Sequence, residues 1–194
     1  MNRDRLIALL ILLLLAILAA LGCALYRAQA ARVIGAIVPG RMNAQMIRHP
    51  DDLALRYEWH AGTMPPPYHH EYTIVVGPGQ EGGIVYCPDY RADGVPEWHE
   101  SFAVTAEALD RLYAVMVKAQ VFDRRWLAMG RPPVGGDIEW LDVTASGETV
   151  RIPAQPEEGE ALEPVWQAIR ELVPDETWAR LRARRKEYMD NYEG

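Results

Sequence analysis

"LALRYEWHAGTMPPPYHHEYTIVV", residues 53–76, decides the architecture. In its first part Leu53, Leu55, Tyr57 and Trp59 fall on one side and Ala54, Arg56 and Glu58 on the other, the period of a half-buried strand. Its last part alternates as well, with Tyr68, Tyr72, Ile74 and Val76 on one side. Between the two lies "AGTMPPP", which cannot extend a ladder, because proline has no backbone N–H. Strands joined so directly run antiparallel. The stretch therefore predicts a hairpin with a rigid connection.

Downstream, "GPGQEGG" (77–83) reads as a turn, "IVYCPDY" (84–90) as a third strand and "WHESFAV" (98–104) as a fourth. Thr105 is placed to cap a helix, since Leu109, Leu112, Tyr113, Met116 and Val117 follow helical spacing. After the long loop "RRWLAMGRPPVGG" (124–136), "DIEWLDVTASGETVRIP" (137–153) predicts a hairpin turned at Ser146-Gly147. Leu162, Val165, Trp166, Ile169 and Leu172 mark an amphipathic helix. A last helix starts at "PDETW", with Asp175 as its cap and Trp178, Leu181, Tyr188 and Tyr192 on one face. The fold class that follows is α+β: an antiparallel sheet with helices packed on one face and a C-terminal helix. The domain is expected over residues 51–174 and the amphipathic C-terminal helix over 175–194. Trp59, Trp98, Trp140 and Trp166 are the expected core tryptophans.

Upstream, Leu6 to Tyr26 has 21 residues without a charge. As a helix it would be ~31 Å long, about the thickness of a bilayer's hydrocarbon core. Residues 1–26 are thus expected to form an N-terminal transmembrane helix, a signal anchor, and 27–50 a juxtamembrane helix and linker. A cleaved signal peptide would have a shorter apolar run and a better cleavage site than "CALYRAQA" (23–30). Gly22-Cys23 resembles a lipidation site, with Ala20 where such sites favour Leu. Arg3 and Arg5 before the span nearly balance Arg27, Arg32 and Arg41 after it. The short leading tail favours a single-pass bacterial inner-membrane protein with its domain on the extracytoplasmic side.

The first 50 residues carry six Arg and one Asp, so residues 51–194 carry −12 of a chain whose net charge is −7. Such a domain repels phosphate backbones, which disfavours nucleic acid as a partner. Two cysteines, Cys23 in the span and Cys87 beyond it, leave no disulfide within the domain. No phosphate loop, nucleophile elbow or paired metal-ligand motif is present, and the sequence implies no cofactor.

Two loops stand out. Pro65, Pro66 and Pro67 fix φ and favour a stiff polyproline II path that would hold Met64 and Tyr68 outward. Stiff loops lose little entropy on binding. Trp126, with Arg124, Arg125 and Arg131, would make a basic aromatic loop of the kind favoured at binding hot spots, unless the indole folds back over the core. These residues predict a protein-binding module whose partner is another envelope protein. His60, His69, His70 and Glu71, with Asp89 nearby, offer an alternative metal site, and Cys87 an alternative nucleophile. Adjacent residues on a strand point to opposite faces, so only one of His69 and His70 could join His60. Another alternative is a structural membrane subunit assembled through Leu6–Tyr26. The basic "RLRARRK" (180–186) could meet anionic headgroups or form a solvated face.

"ALDRLYAVMVKAQVFD" (108–123), "GGDIEWLDVTASGETVRIP" (135–153) and "LEPVWQAIREL" (162–172) resemble, in their order, emfourin-type inhibitors of bacterial metalloproteases. The likeness spans residues 53–173 and implies an inhibitor-like α+β domain. It carries over no inhibitory residue, and the anchor, the triple-proline loop and the extra helix depart from that family. The chain also looks like uncharacterised bacterial membrane-anchored α+β proteins, which adds no function.

Overall fold

The computed structural model describes residues 47–130 and 135–192. The expected membrane span, Leu6–Tyr26, and most of the linker lie outside these residues. Among the described residues no helix is long and apolar enough to cross a membrane.

Six strands form one antiparallel sheet: β1 (Ala54–His60), β2 (Glu71–Val76), β3 (Glu81–Cys87), β4 (Trp98–Ala103), β5 (Ile138–Ala145) and β6 (Glu148–Ile152). Their order across the sheet is β4-β3-β2-β1-β5-β6. The described residues hold three helices: α1 (Ala106–Lys118), α2 (Glu163–Arg170, entered through a 3-10 turn at Gly159–Leu162) and α3 (Asp175–Asp190). The protein is thus an α+β domain ending in a C-terminal helix. The long connection through α1 carries the chain across the sheet, so that β5 pairs with the far side of β1.

Period-two burial sets the inner face. Leu55 and Tyr57, Tyr72, Ile74 and Val76, Ile84 and Tyr86, and Leu141 and Val143 are buried there. They share one cluster with Leu109, Leu112 and Met116 of α1, Val165, Trp166 and Ile169 of α2 and Leu181 of α3. Each fully buried Leu, Ile or Met contributes about 1.5–3 kcal/mol relative to exposure. Trp140 departs from expectation. Its neighbours Leu141 and Val143 take the inner face, so the alternation turns Trp140 to the outer one, where it meets His60 edge-on at 4.7 Å.

Local signals account for the element ends. The Thr105 side chain accepts from the Ala108 N–H at 3.2 Å and caps α1. Ser146 and Gly147 both take positive φ in the β5–β6 turn, and their N–H groups donate to Asp52. The Asp175 cap is corrected. Asp175 sits inside the first turn of α3, and Pro174 supplies the carbonyl that accepts from Thr177 and Trp178.

Helix α3 is mostly charged, and Leu181 is its one large, fully buried apolar side chain. What it docks on is a row of aromatics. Trp59, Tyr72, Tyr86 and Trp98 lie in register across β1, β2, β3 and β4. Their planes are tilted by 15°, 10° and 5° from one to the next. Trp178 meets Tyr72 edge-on at 5.1 Å, and the Arg184 guanidinium lies 4.6 Å over Trp98. Such contacts contribute about 0.5–1.5 kcal/mol each for the aromatic pairs, and about 0.5–1 for an exposed cation–π pair. The "RLRARRK" run is therefore not simply a solvated face: it is one side of the packing of α3.

Candidate functional site

Three segments meet at one end of the sheet: the β1–β2 loop (61–70), the β3–β4 loop (88–97) and residues 135–137. Residues 47–50, where the described chain begins, lie towards the opposite end, beside the start of β1. There His49 meets Asp110 at 2.6 Å.

The triple proline does not follow a polyproline II path. The Pro66–Pro67 bond is cis, and Tyr68 N–H donates to Pro65 O at 2.9 Å, closing a turn. Tyr68 therefore leaves the strand face assigned to it and stands 57% exposed, with Met64 46% exposed beside it. Other elements hold this tip. Tyr90 Oη donates to Met64 O at 2.9 Å, and the Tyr90 ring stacks on His69 at 3.6 Å. Arg185 of α3 donates to Tyr68 O at 2.9 Å. Gly62 permits the base of the loop, since a Cβ there would come within 2.5 Å of Gly136 O. Tyr90 is itself 41% exposed, so Met64, Tyr68 and Tyr90 form a braced apolar tip.

The three histidines separate. His60 pairs across the ladder with Glu71, and its Nδ1 lies 3.0 Å from Glu71 Oε2 on the outer face. Burial pushes His60 below the usual histidine value although Glu71 and Glu58 oppose the shift. His69 is buried beyond the strand end against Tyr90. His70 turns to the inner face, 4.8 Å from Trp59. The strand expected to include residues 68–70 begins only at Glu71, because β1 ends at His60, the residue paired with it. Among the described residues no group of three His, Cys, Asp or Glu is arranged to hold a metal ion.

On the outer face the β3–β4 loop folds over the sheet. Glu71, 4% exposed, accepts from the Arg91 N–H at 2.9 Å, while the Arg91 guanidinium reaches Thr73 and Glu97. This cover buries Cys87 completely and pushes its thiol upward, the reverse of an activated nucleophile. Asp89, named beside the alternative metal site, is 3% exposed and accepts from its neighbour's N–H.

Trp126 takes the folded-back alternative. It is 8% exposed, and its indole N–H donates to Val121 O at 3.0 Å, with Arg124 4.9 Å over the ring. Arg124 also pairs with Glu158. Arg125 is exposed, Leu127 and Met129 carry the apolar exposure of this loop, and Arg131 lies outside the described residues.

A groove runs beneath the tip on the inner face. One cavity of about 420 Å³ is bounded by Trp59, His70, Tyr72, Trp178, Arg170 and Arg182. It adjoins one of about 580 Å³ below Met64 and Tyr68, through Trp59, His70 and Asp137, and another of about 710 Å³ reaching Met129. In its floor Tyr57 Oη donates to Glu139 at 2.5 Å, and Arg170 binds Tyr57, Glu139 and Glu163 at 3.0, 2.7 and 3.0 Å. Burial raises the Glu139 carboxyl despite Arg170, and raises the Tyr72 hydroxyl to about 12. It lowers His70 to about 4, with Arg185 adding to the effect.

Sequence reasoning missed Tyr90, Arg170, Arg185 and Glu139 as parts of this end of the molecule. One signal was present: an aromatic recurs in each of the first four strands, at positions that the hairpins bring into register. The chain matches no family model and none of the curated proteins with which it was compared.

Proposed function

We propose that this chain is a non-enzymatic protein-binding module of the bacterial cell envelope. Leu6–Tyr26 anchors it as a single-pass span in the inner membrane, with the domain on the extracytoplasmic side. Its partner is another envelope protein, not nucleic acid. A protease is the partner class suggested by the resemblance of residues 53–173 to emfourin-type inhibitors. The observation that carries the reading is the braced tip of Met64, Tyr68 and Tyr90, three exposed apolar side chains held by contacts from three different segments. A prearranged apolar surface binds with little ordering cost, and Tyr is favoured among residues that dominate binding energy. The tip also stands at the sheet end opposite residues 47–50, where the chain arrives from its linker.

The test is a crosslinked pull-down of the full chain from its native membrane, read by mass spectrometry. A dominant stoichiometric partner is expected, and its recovery should fall at least tenfold for Met64→Ala/Tyr68→Ala. Equal recovery by the two proteins would refute the tip as the binding surface.

A further inference from the structure

We propose that the free edge of β4 is a self-pairing surface, on which β4 of a second copy of this chain adds antiparallel with the two-fold axis at Ser101. The inference goes beyond the binding reading above and uses another surface, the side of the sheet rather than its end. β4 is the first strand of the sheet, and among the described residues nothing pairs with its outer side. Its pairing to β3 fixes which backbone groups stay free. Val104 N–H donates to Gln80 O at 2.9 Å, one position beyond the Glu81–Ala103 pair. In an antiparallel ladder bonded pairs alternate with unbonded ones, so Phe102, Glu100 and Trp98 also turn their N–H and C=O groups to β3. His99, Ser101 and Ala103 turn theirs outward. All three are exposed, and Ser101 and Ala103 are small, so another backbone can come close. An open edge takes a further strand unless charge, proline, a bulge or a cover prevents it. β4 contains no Pro or Lys, and its register with β3 is unbroken from Trp98 to Ala103. The opposite edge, β6, is shorter, and the exposed Arg151 stands in it.

Charge selects the occupant. With the axis at Ser101, His99 lies opposite Ala103 of the copy, Ser101 opposite Ser101, Glu100 opposite Phe102, Trp98 opposite Val104 and Glu97 opposite Thr105. No like charges face each other, and all the outward residues enter bonded pairs. An axis at Glu100 would oppose two carboxylates, and an axis at Phe102 would carry His99 past the end of the copy's strand. The same register brings the Trp98 end of one β4, where Arg184 lies over the ring, to the end of the other, where Thr105 caps α1 and Glu107 occupies its first turn. Arg184 and Glu107 are exposed, and neither forms an ion pair with another described residue. A two-fold axis repeats each contact, so this complementary pair forms twice.

The experiment is oxidative crosslinking of the full 194-residue chain in its native membrane, in a Cys23→Ala background in which Cys87 stays buried. Bonded antiparallel pairs hold their Cα atoms about 5.5 Å apart, within the ~4.4–6.8 Å that a disulfide spans. Ser101→Cys should therefore give a covalent dimer, and Thr149→Cys on the β6 edge should not. His99→Cys/Ala103→Cys should also link, and neither single variant should. Adding Ser101→Pro to that double variant removes only an outward N–H and should slow linking about tenfold, since two central bonds are lost. Where the proline lowers the thermal melt, Ser101→Lys takes its place and sets like charges at the axis. No dimer from Ser101→Cys, equal linking by Thr149→Cys, linking by His99→Cys alone, or unslowed linking in a Ser101→Lys protein of intact melt would each overturn the proposal. An extended segment of a different protein on this edge would show as Ser101→Cys left unlinked, and would overturn it too.

Discussion

Replacing Arg170 by Met tests the account of the groove floor most directly. Met keeps much of the side-chain volume and removes the charge and the donors. Arg170 and Glu139 side chains are 29% and 18% exposed, so the pair lies between a surface ion pair and a buried one. Surface pairs contribute up to about 1 kcal/mol, and removing one partner of a buried pair costs about 3–5. Glu139 keeps the Tyr57 hydroxyl as a donor, which softens the loss. The expected cost at pH 7 is thus about 2 kcal/mol. For a domain of this size that lowers Tm by roughly 6–10 °C. The pH dependence carries the sign. Burial already raises the Glu139 carboxyl above its ordinary value of 4.5, and Arg170 opposes that rise. Without Arg170 the folded-state value climbs further. A carboxyl raised on folding holds its proton more tightly in the folded state, so its destabilisation is absent below about pH 4.5 and grows as pH rises through the shifted value. The deficit of Arg170→Met should therefore shrink between pH 7 and pH 5, and Arg170→Met/Glu139→Leu should recover part of the loss. Urea or thermal melts of wild type and variants at both pH values measure this. A deficit under 0.5 kcal/mol, or one larger at pH 5 than at pH 7, would refute the reasoning, because either would mean that Glu139 does not depend on Arg170 for its charge.

Other predictions concern the supports of the tip. Gly62→Ala puts a Cβ 2.5 Å from Gly136 O, a backbone atom that cannot swing aside, and should cost about 1–3 kcal/mol; a melt indistinguishable from wild type would mean that the two segments do not touch. Leu181→Ala removes the main apolar contact of α3 and should cost about 2–4 kcal/mol, with α3 amides exchanging through an opening cheaper than global unfolding; protection unchanged in α3 alone would contradict the docking described. His70 is lowered from 6.5 to about 4 by burial, so the folded state resists protonating it and stability should fall as pH drops from about 6.5 towards 4. Because the ring is only partly buried, screening limits that loss to about 1–2 kcal/mol, and His70→Gln should flatten the profile by that amount in melts taken across this range.

Much of the fold was legible because strands and helices announce themselves locally. Leu53, Leu55 and Tyr57 alternate, Leu109, Leu112 and Met116 recur at helical spacing, Thr105 caps, and Ser146-Gly147 turns. The candidate site was legible in part. Met64 and Tyr68 could be picked out as an exposed pair on a proline-fixed loop. Their supports could not, because Tyr90 and Arg185 lie 22 and 117 residues beyond Tyr68 in the chain, and no local pattern links them. For Trp126 the sequence left two readings open, exposed or folded back, and the fold decided between them: the Val121 carbonyl, presented by the turn after α1, gives its indole N–H a buried partner.

The sequence by itself determined the elements, the hairpins and the α+β class, since these follow from side-chain period, caps and turn residues within a few positions. Tertiary structure alone decided which face each residue serves. Pairing His60 with Glu71 starts β2 three residues later than alternation suggests and sends His60, His69 and His70 to three different surroundings. Returning β5 beside β1 turns Leu141 inward and Trp140 out. Laying the charged helix α3 over Trp59, Tyr72, Tyr86 and Trp98 turns arginines that read as a solvated run into one wall of the groove. The physical reason is that alternation fixes only that neighbouring side chains oppose each other, while burial depends on what remote segments bring to each side.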